Sequence, residues 1–246
     1  MMPDERNEDL DFADAREMAM EGFGDSQNSK SETGPFRPFL SIWTQPRATI
    51  RRIVREDSER YVTILAMCSG VAQSLDRASN RNAGDVLSLW AILGVAVIFG
   101  SLGGIFAIWL ISHLTRITGG WIGGVASRSE LKAALAWSRV PSIVELALWA
   151  MFIALFGKNS FTTDIPQIDE NPLLAITATA IGIGFIVIAI WKMVLTCKCI
   201  AEVQGFRSAW RGLWNVFLSF MIVLGVIVLA VIPLLIISVL MKDGGA

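Results

Sequence analysis

Apolar positions in this chain gather into long runs, separated by short polar connections and preceded by a polar start. The last run, Leu213 to Met241, carries no charged residue. About 20 consecutive apolar residues cross the hydrocarbon core of a bilayer as a helix, so this run reads as transmembrane. Four earlier runs cover Tyr61 to about Leu75, Val86 to about Leu114, Val140 to Phe156 and Leu173 to Leu195. The first is the weakest, because it is short and ends in Ser69, Gly70, Gln73 and Ser74. Trp90, Trp109, Trp121, Trp137, Trp191, Trp210 and Trp214 lie at or near the ends of runs, the depth at which Trp meets the headgroups. The pattern predicts an all-α polytopic membrane protein, with a bundle of five transmembrane helices over residues 61–246.

Two different segments precede the bundle. Residues 1–35 are rich in Asp, Glu, Ser and Gly and have too little apolar surface to offset the entropy of ordering, which predicts a disordered acidic cytoplasmic tail. Residues 36–60 carry Phe36, Phe39, Leu40, Ile42 and Trp43, then Thr44-Gln45-Pro46, a helix-start signal. On a helix turning about 100° per residue, Ile50, Ile53 and Val54 share one side, opposite Arg47, Arg51, Arg52 and Arg55. This predicts an N-terminal amphipathic helix. It lies in the membrane interface, with Trp43, Pro46 and the four arginines at the headgroups, or packs on the protein's own cytoplasmic face; both can hold at once.

Composition agrees: 53% of residues are hydrophobic and 17% charged, with a mean hydropathy of +0.54. A soluble domain is nearer 25% charged. No positive region followed by an apolar core opens the chain, so no cleaved secretory signal is expected. Lys and Arg then give the orientation. They are dense before the first run, sparse or offset by Asp76 and Asp85 in the next connection (Arg77, Arg81), and dense again at Arg116, Arg128, Lys132 and Arg139. Lys158 stands beside Asp164, Asp169 and Glu170, and Lys192, Lys198, Arg207 and Arg211 surround the last connection. By the positive-inside rule the N-terminus is cytoplasmic and the C-terminus outside.

Candidate chemistry is thin. His113 is the one histidine, and no Ser/His/Asp set or metal-ligand cluster accompanies it. Cys197 and Cys199 flank Lys198 just after the fourth run; they read as reduced thiols or as juxtamembrane acylation sites. Cys68 reads as a small apolar residue within the first run. No enzyme, cofactor, metal or nucleic-acid partner is expected. Glu145 is the acid read as lying within a run, four residues after Pro141. A charge at mid-bilayer costs about 2.5–3.5 kcal/mol on insertion scales, so Glu145 either pairs locally with Arg139 or Lys192 or serves a function. Gly100 and Gly104 form a small-xxx-small step that lets helix backbones approach closely. Gly119, Gly120, Gly123 and Gly124 lack the Lys-Ser/Thr of a phosphate loop and suit a bend at the membrane surface.

The order of motifs resembles the Yip1 domain family, particularly its prokaryotic branch. It rests on Trp43-Thr44-Gln45-Pro46-Arg47 before the first run and on Gly119 to Gly124 after the second. Leu131-Lys132, Ala136-Trp137-Ser138-Arg139-Val140-Pro141 and Gly205-Phe206-x-Ser208-Ala209-Trp210 complete it, and Ala136, Ser138 and Pro141 match the family's Ala–x–Ser–x–x–Pro feature. The resemblance implies a five-span membrane protein with a cytoplasmic N-terminus. Eukaryotic relatives act in vesicle trafficking and engage prenylated small GTPases. This chain lacks their Asp-Leu-Tyr-Gly-Pro type motif, which argues against GTPase binding. The expected function is membrane organisation, scaffolding or trafficking-related partner binding, with the lipid bilayer, other membrane proteins or a second copy as partners. The alternative is a small transporter or permease using Glu145.

Overall fold

A computed structural model describes residues 37–243 of the protein. The acidic tail expected over 1–35 lies outside the described residues. The chain divides into two units, Met1–Pro38 and Phe39–Ala246. Among the described residues there is no strand.

The helices are α1 (Pro38–Thr44), α2 (Pro46–Asp57), α3 (Val62–Asn80), α4 (Leu89–Val95), α5 (Ser101–Trp121), α6 (Arg128–Trp137), α7 (Pro141–Phe156), α8 (Pro166–Glu170), α9 (Pro172–Val203) and α10 (Ala209–Asp243). Several starts are set by proline, whose missing N–H is harmless in a first turn: Pro46, Pro141, Pro166 and Pro172. A π-helical segment, Ala96–Gly100, joins α4 to α5 without a break. Helix α6 opens on a capping box, with the Ser127 side chain and Glu130 satisfying each other's backbone N–H groups.

Four helical stretches are long and apolar enough to cross a membrane: Leu89–Trp121, Arg128–Phe161, Pro172–Val203 and Ala209–Leu229. Their outer surfaces carry large exposed apolar side chains, among them Phe99, Phe106, Ile186, Ile190, Phe220 and Ile227. A continuous apolar coat of this kind is untenable in water and natural in lipid. The protein is an integral, multi-pass membrane protein.

Helix α3 is not among those four. It is longer than the expected run, continuing past Leu75 to Asn80 with Asp76, Arg77 and Ser79 in its last turns. At about 1.5 Å per residue its 19 residues reach about 28 Å. Its start lies beside the end of α6, with the Tyr61 and Trp137 rings 6.1 Å apart. Its far end meets the segment after α7, where Ser79 Oγ donates to Ser160 O at 3.1 Å. Thus α3 runs alongside the whole of α7. It also crosses α5 closely: a Cβ on Gly70 would collide with the Gly100 carbonyl, and one on Gly104 with the Ala66 carbonyl. Polar side chains are tolerable on α3 because much of it faces protein rather than lipid.

Candidate functional site: a charged cluster and two polar locks in the bundle

Pro141 starts α7 at the buried turn after Ala136 and Ser138, and this places Glu145 one turn into the helix, facing inward and 4% exposed. Lys192 on α9 donates from Nζ to Glu145 Oε2 at 2.6 Å. Asp76 reaches the same region from α3. Trp149 Nε1 donates to Asp76 Oδ1 at 2.9 Å, and Asp76 also interacts with Glu145 and Lys192. Arg139, in the turn between α6 and α7, adds its charge next to Glu145. One turn along α9, Thr196 Oγ1 contacts Ser138 Oγ at 3.1 Å. Trp149 closes the cluster on its other side, stacked 5.5 Å from Phe161 and tilted against Phe185 at 5.1 Å.

Two acids and two bases thus meet where α3, α7 and α9 converge. Isolated, each would carry a large desolvation penalty; together they compensate one another, and only the removal of one partner exposes the cost. Chemically, the arrangement can fix the relative register of three helices, and it places ionisable groups within a protein interior at membrane depth. Asp76 escaped the sequence reading because it was assigned to a loop, a consequence of ending the first run at Leu75.

A second constellation explains the glycine-rich segment. Gln204, which ends α9, is 2% exposed. Its Nε2 donates to Thr115 O at 3.1 Å and its Oε1 accepts from Ala126 N at 3.2 Å. The amide lies against Gly119 and Gly124, where an added Cβ would strike it. Gly119 and Gly120 belong to the last turn of α5 rather than to a loop. Gly123 has φ +83°, a left-handed turn that favours glycine; Gly120 and Gly123 both have open space around them. Beside this lock, Thr118 Oγ1 donates to Asn215 Oδ1 at 2.5 Å and lies 2.8 Å from Ser219 Oγ, joining α5 to α10. Asn215 and Ser219 sit within the closing apolar run, where polar residues act as interhelical glue; that was the available signal.

The third arrangement is the seat of α2. Ile50 and Ile53 are buried against α6 and α9, so the apolar side of the helix is covered by protein. Pro46 is buried and Trp43 half-buried. Arg51 and Glu202 form an ion pair at 2.6 Å, with Arg47 4.0 Å from the same carboxylate, while Arg52 pairs with Glu56 at 2.7 Å. Phe39, Tyr61 and Trp137 form an aromatic triad, Tyr61 edge-on to both partners and Phe39 tilted against Trp137 at 5.0 Å.

The remaining candidates stay apart. His113 Nδ1 lies 2.9 Å from Trp109 O on its own helix. Cys199 is buried, Cys68 and Cys197 half-buried, and all three are free thiols. Among the described residues no group of three or more His, Cys, Asp or Glu side chains could hold a metal ion.

The Yip1 domain family model matches residues 40–238, from α1 into α10. The chain belongs to the Yip1 domain family. No curated protein and no solved structure matches it. The charged cluster and the two polar locks lie within the Yip1 domain.

Proposed function

We propose that this Yip1-domain protein is a non-enzymatic membrane organiser or partner-binding scaffold that works through α1 and α2 at the cytoplasmic face. The observation that carries this reading is the seat of α2. Ile50, Ile53 and the Arg51–Glu202 pair hold an arginine-bearing helix firmly against α6 and α9. A fixed cationic surface beside Trp43 suits anionic headgroups or an acidic partner. The chain crosses the membrane five times, in the bacterial inner membrane, with α3 as the first crossing and the N-terminus inside. The course of α3 along α7 from Trp137 to Ser160 supports that count, and so does the distribution of Lys and Arg.

A small transporter is the second reading, favoured by the meeting of Asp76, Glu145 and Lys192 within the bundle. Intramembrane acids mark ion and substrate pathways in many carriers. Full-length protein in vesicles of phosphatidylethanolamine and phosphatidylglycerol separates the two. The scaffold reading expects clustered or reshaped vesicles by electron cryomicroscopy, lost in an R47Q/R51Q variant, and no solute or proton flux. Flux that disappears in Glu145→Gln, with vesicles of unchanged shape, contradicts it.

A further inference from the structure

At the far end of α3, Arg77 and Arg81 lie one helical turn apart. In the sequence their neighbours Asp76 and Asp85 balance them. In the structure both carboxylates are engaged elsewhere. Asp76 turns toward Trp149, Glu145 and Lys192. Asp85 accepts from Thr163, at 2.8 Å from Oγ1 and 3.4 Å from the backbone N. Among the described residues no carboxylate forms an ion pair with Arg77 or Arg81. Like charges four residues apart on a helix repel, so the pair stands as a cationic site without a carboxylate partner at the C-terminal end of the helix.

Both arginines line a groove of about 200 Å³ between α3 and the segment from Ala83 to the end of α4. Ser74 lies on the arginine side, and Leu87, Ile92 and Val95 form an apolar wall. Leu87 and Val95 are exposed, Ile92 is buried at the floor of the groove, and Trp90, 80% exposed, and Ile98 stand on the same hydrophobic segment. The groove therefore opens onto the lipid-facing coat of the second hydrophobic segment, at the Trp-marked depth where headgroups lie. A planar guanidinium fork matches a phosphate, and two of them address one phosphodiester from adjacent turns. A free phosphate ion would leave the apolar wall without a role. A phospholipid uses both halves.

We propose that this groove is a binding site for an anionic phospholipid, with Arg77 and Arg81 on its phosphate and the exposed Leu87 and Val95 on the upper part of an acyl chain. The site is independent of the α2 surface, and neither arginine belongs to the charged cluster.

Native mass spectrometry of the full-length protein, delipidated and resupplied with phosphatidylglycerol, phosphatidylcholine or inorganic phosphate, tests it. Phosphatidylglycerol is expected to be retained in preference to phosphatidylcholine. An R77Q/R81Q variant is expected to lower that preference roughly 10- to 30-fold. R77K/R81K keeps part of it, because charge remains while the fork is lost, and Leu87→Ser weakens retention of lipid without changing charge. Equal retention of both lipids by the wild-type protein, an unchanged ratio in R77Q/R81Q, or occupancy by inorganic phosphate with no lipid preference overturns the assignment. A photo-crosslinker at Val86 gives a readout that needs no arginine variant: labelled phosphatidylglycerol is captured in nanodiscs, and failure to capture it more than phosphatidylcholine contradicts the site.

Discussion

Lys192 Nζ lies 2.6 Å from Glu145 Oε2, and this contact ties α9 to α7 one turn past its start. The Glu145 side chain is 5% exposed and that of Lys192 21%. Removing one partner of a buried pair leaves an uncompensated charge and costs about 3–5 kcal/mol. Lys192→Met is therefore expected to lower the melting temperature of the detergent-solubilised protein sharply. The double variant E145Q/K192M removes both charges and should recover most of the loss. Equal melting of the Lys192→Met variant and the wild type would show that the pair carries no such load.

The crossing of α3 and α5 gives an internal control. Gly104 meets the Ala66 carbonyl, whereas nothing lies within 4 Å of a Cβ on Gly103. Gly104→Ala forces two backbones apart, and overpacking of that kind costs about 1–3 kcal/mol. Gly103→Ala should be silent. Thermal melting of the two variants side by side tests this, and similar values would remove Gly104 from the helix contact.

Gln204 and Gly119 should behave as one unit. Gly119→Ala pushes into the Gln204 amide and should destabilise. Gln204→Ala leaves Ala126 N without its acceptor and takes one donor from Thr115 O, at about 1–3 kcal/mol. In the Gln204→Ala background the extra methyl at 119 loses its nearest obstacle and next meets Asn215 Nδ2, at 2.9 Å, so the two losses fall short of adding. A double-mutant cycle by chemical or thermal melting should return a coupling of about 0.5–3 kcal/mol; strict additivity would refute the lock.

The Arg51–Glu202 pair is partly exposed, so Arg51→Gln should cost only about 0.2–1 kcal/mol of global stability. Its effect should be local instead. Hydrogen exchange of the α2 amides is expected to rise while that of α7 stays unchanged.

The apolar runs were legible because four of the helices face lipid, and lipid demands apolar side chains along a whole length. The same logic concealed most of α3. Its far half is shielded by α5 and α7, so Gln73, Ser74 and Asp76 tell nothing of lipid, and hydropathy ended the first run at Leu75. Asp76 then read as a loop charge and a counter-ion for Arg77, when it lies in a helix and turns inward. Glu145 was legible as an anomaly, and Lys192 was among its candidate partners. Gln204 was not legible, because its meaning depends on the return of α9 beside Gly119 and Gly124, a contact between residues far apart in the chain. The Ser127–Glu130 capping box was in the sequence and marks α6, a helix the spacing of runs alone does not reveal.

The proposed crossing by α3 would make the number of crossings odd and put the two ends of the chain on opposite faces. Single cysteines at Arg37→Cys and Asp243→Cys, in a background with Cys68, Cys197 and Cys199 replaced by serine, allow a direct measurement with a membrane-impermeant maleimide. In intact cells with a permeable outer envelope, the position-243 variant should label and the position-37 variant should label only after lysis. Labelling of both positions from the same side would contradict five crossings and leave α3 within one face of the membrane.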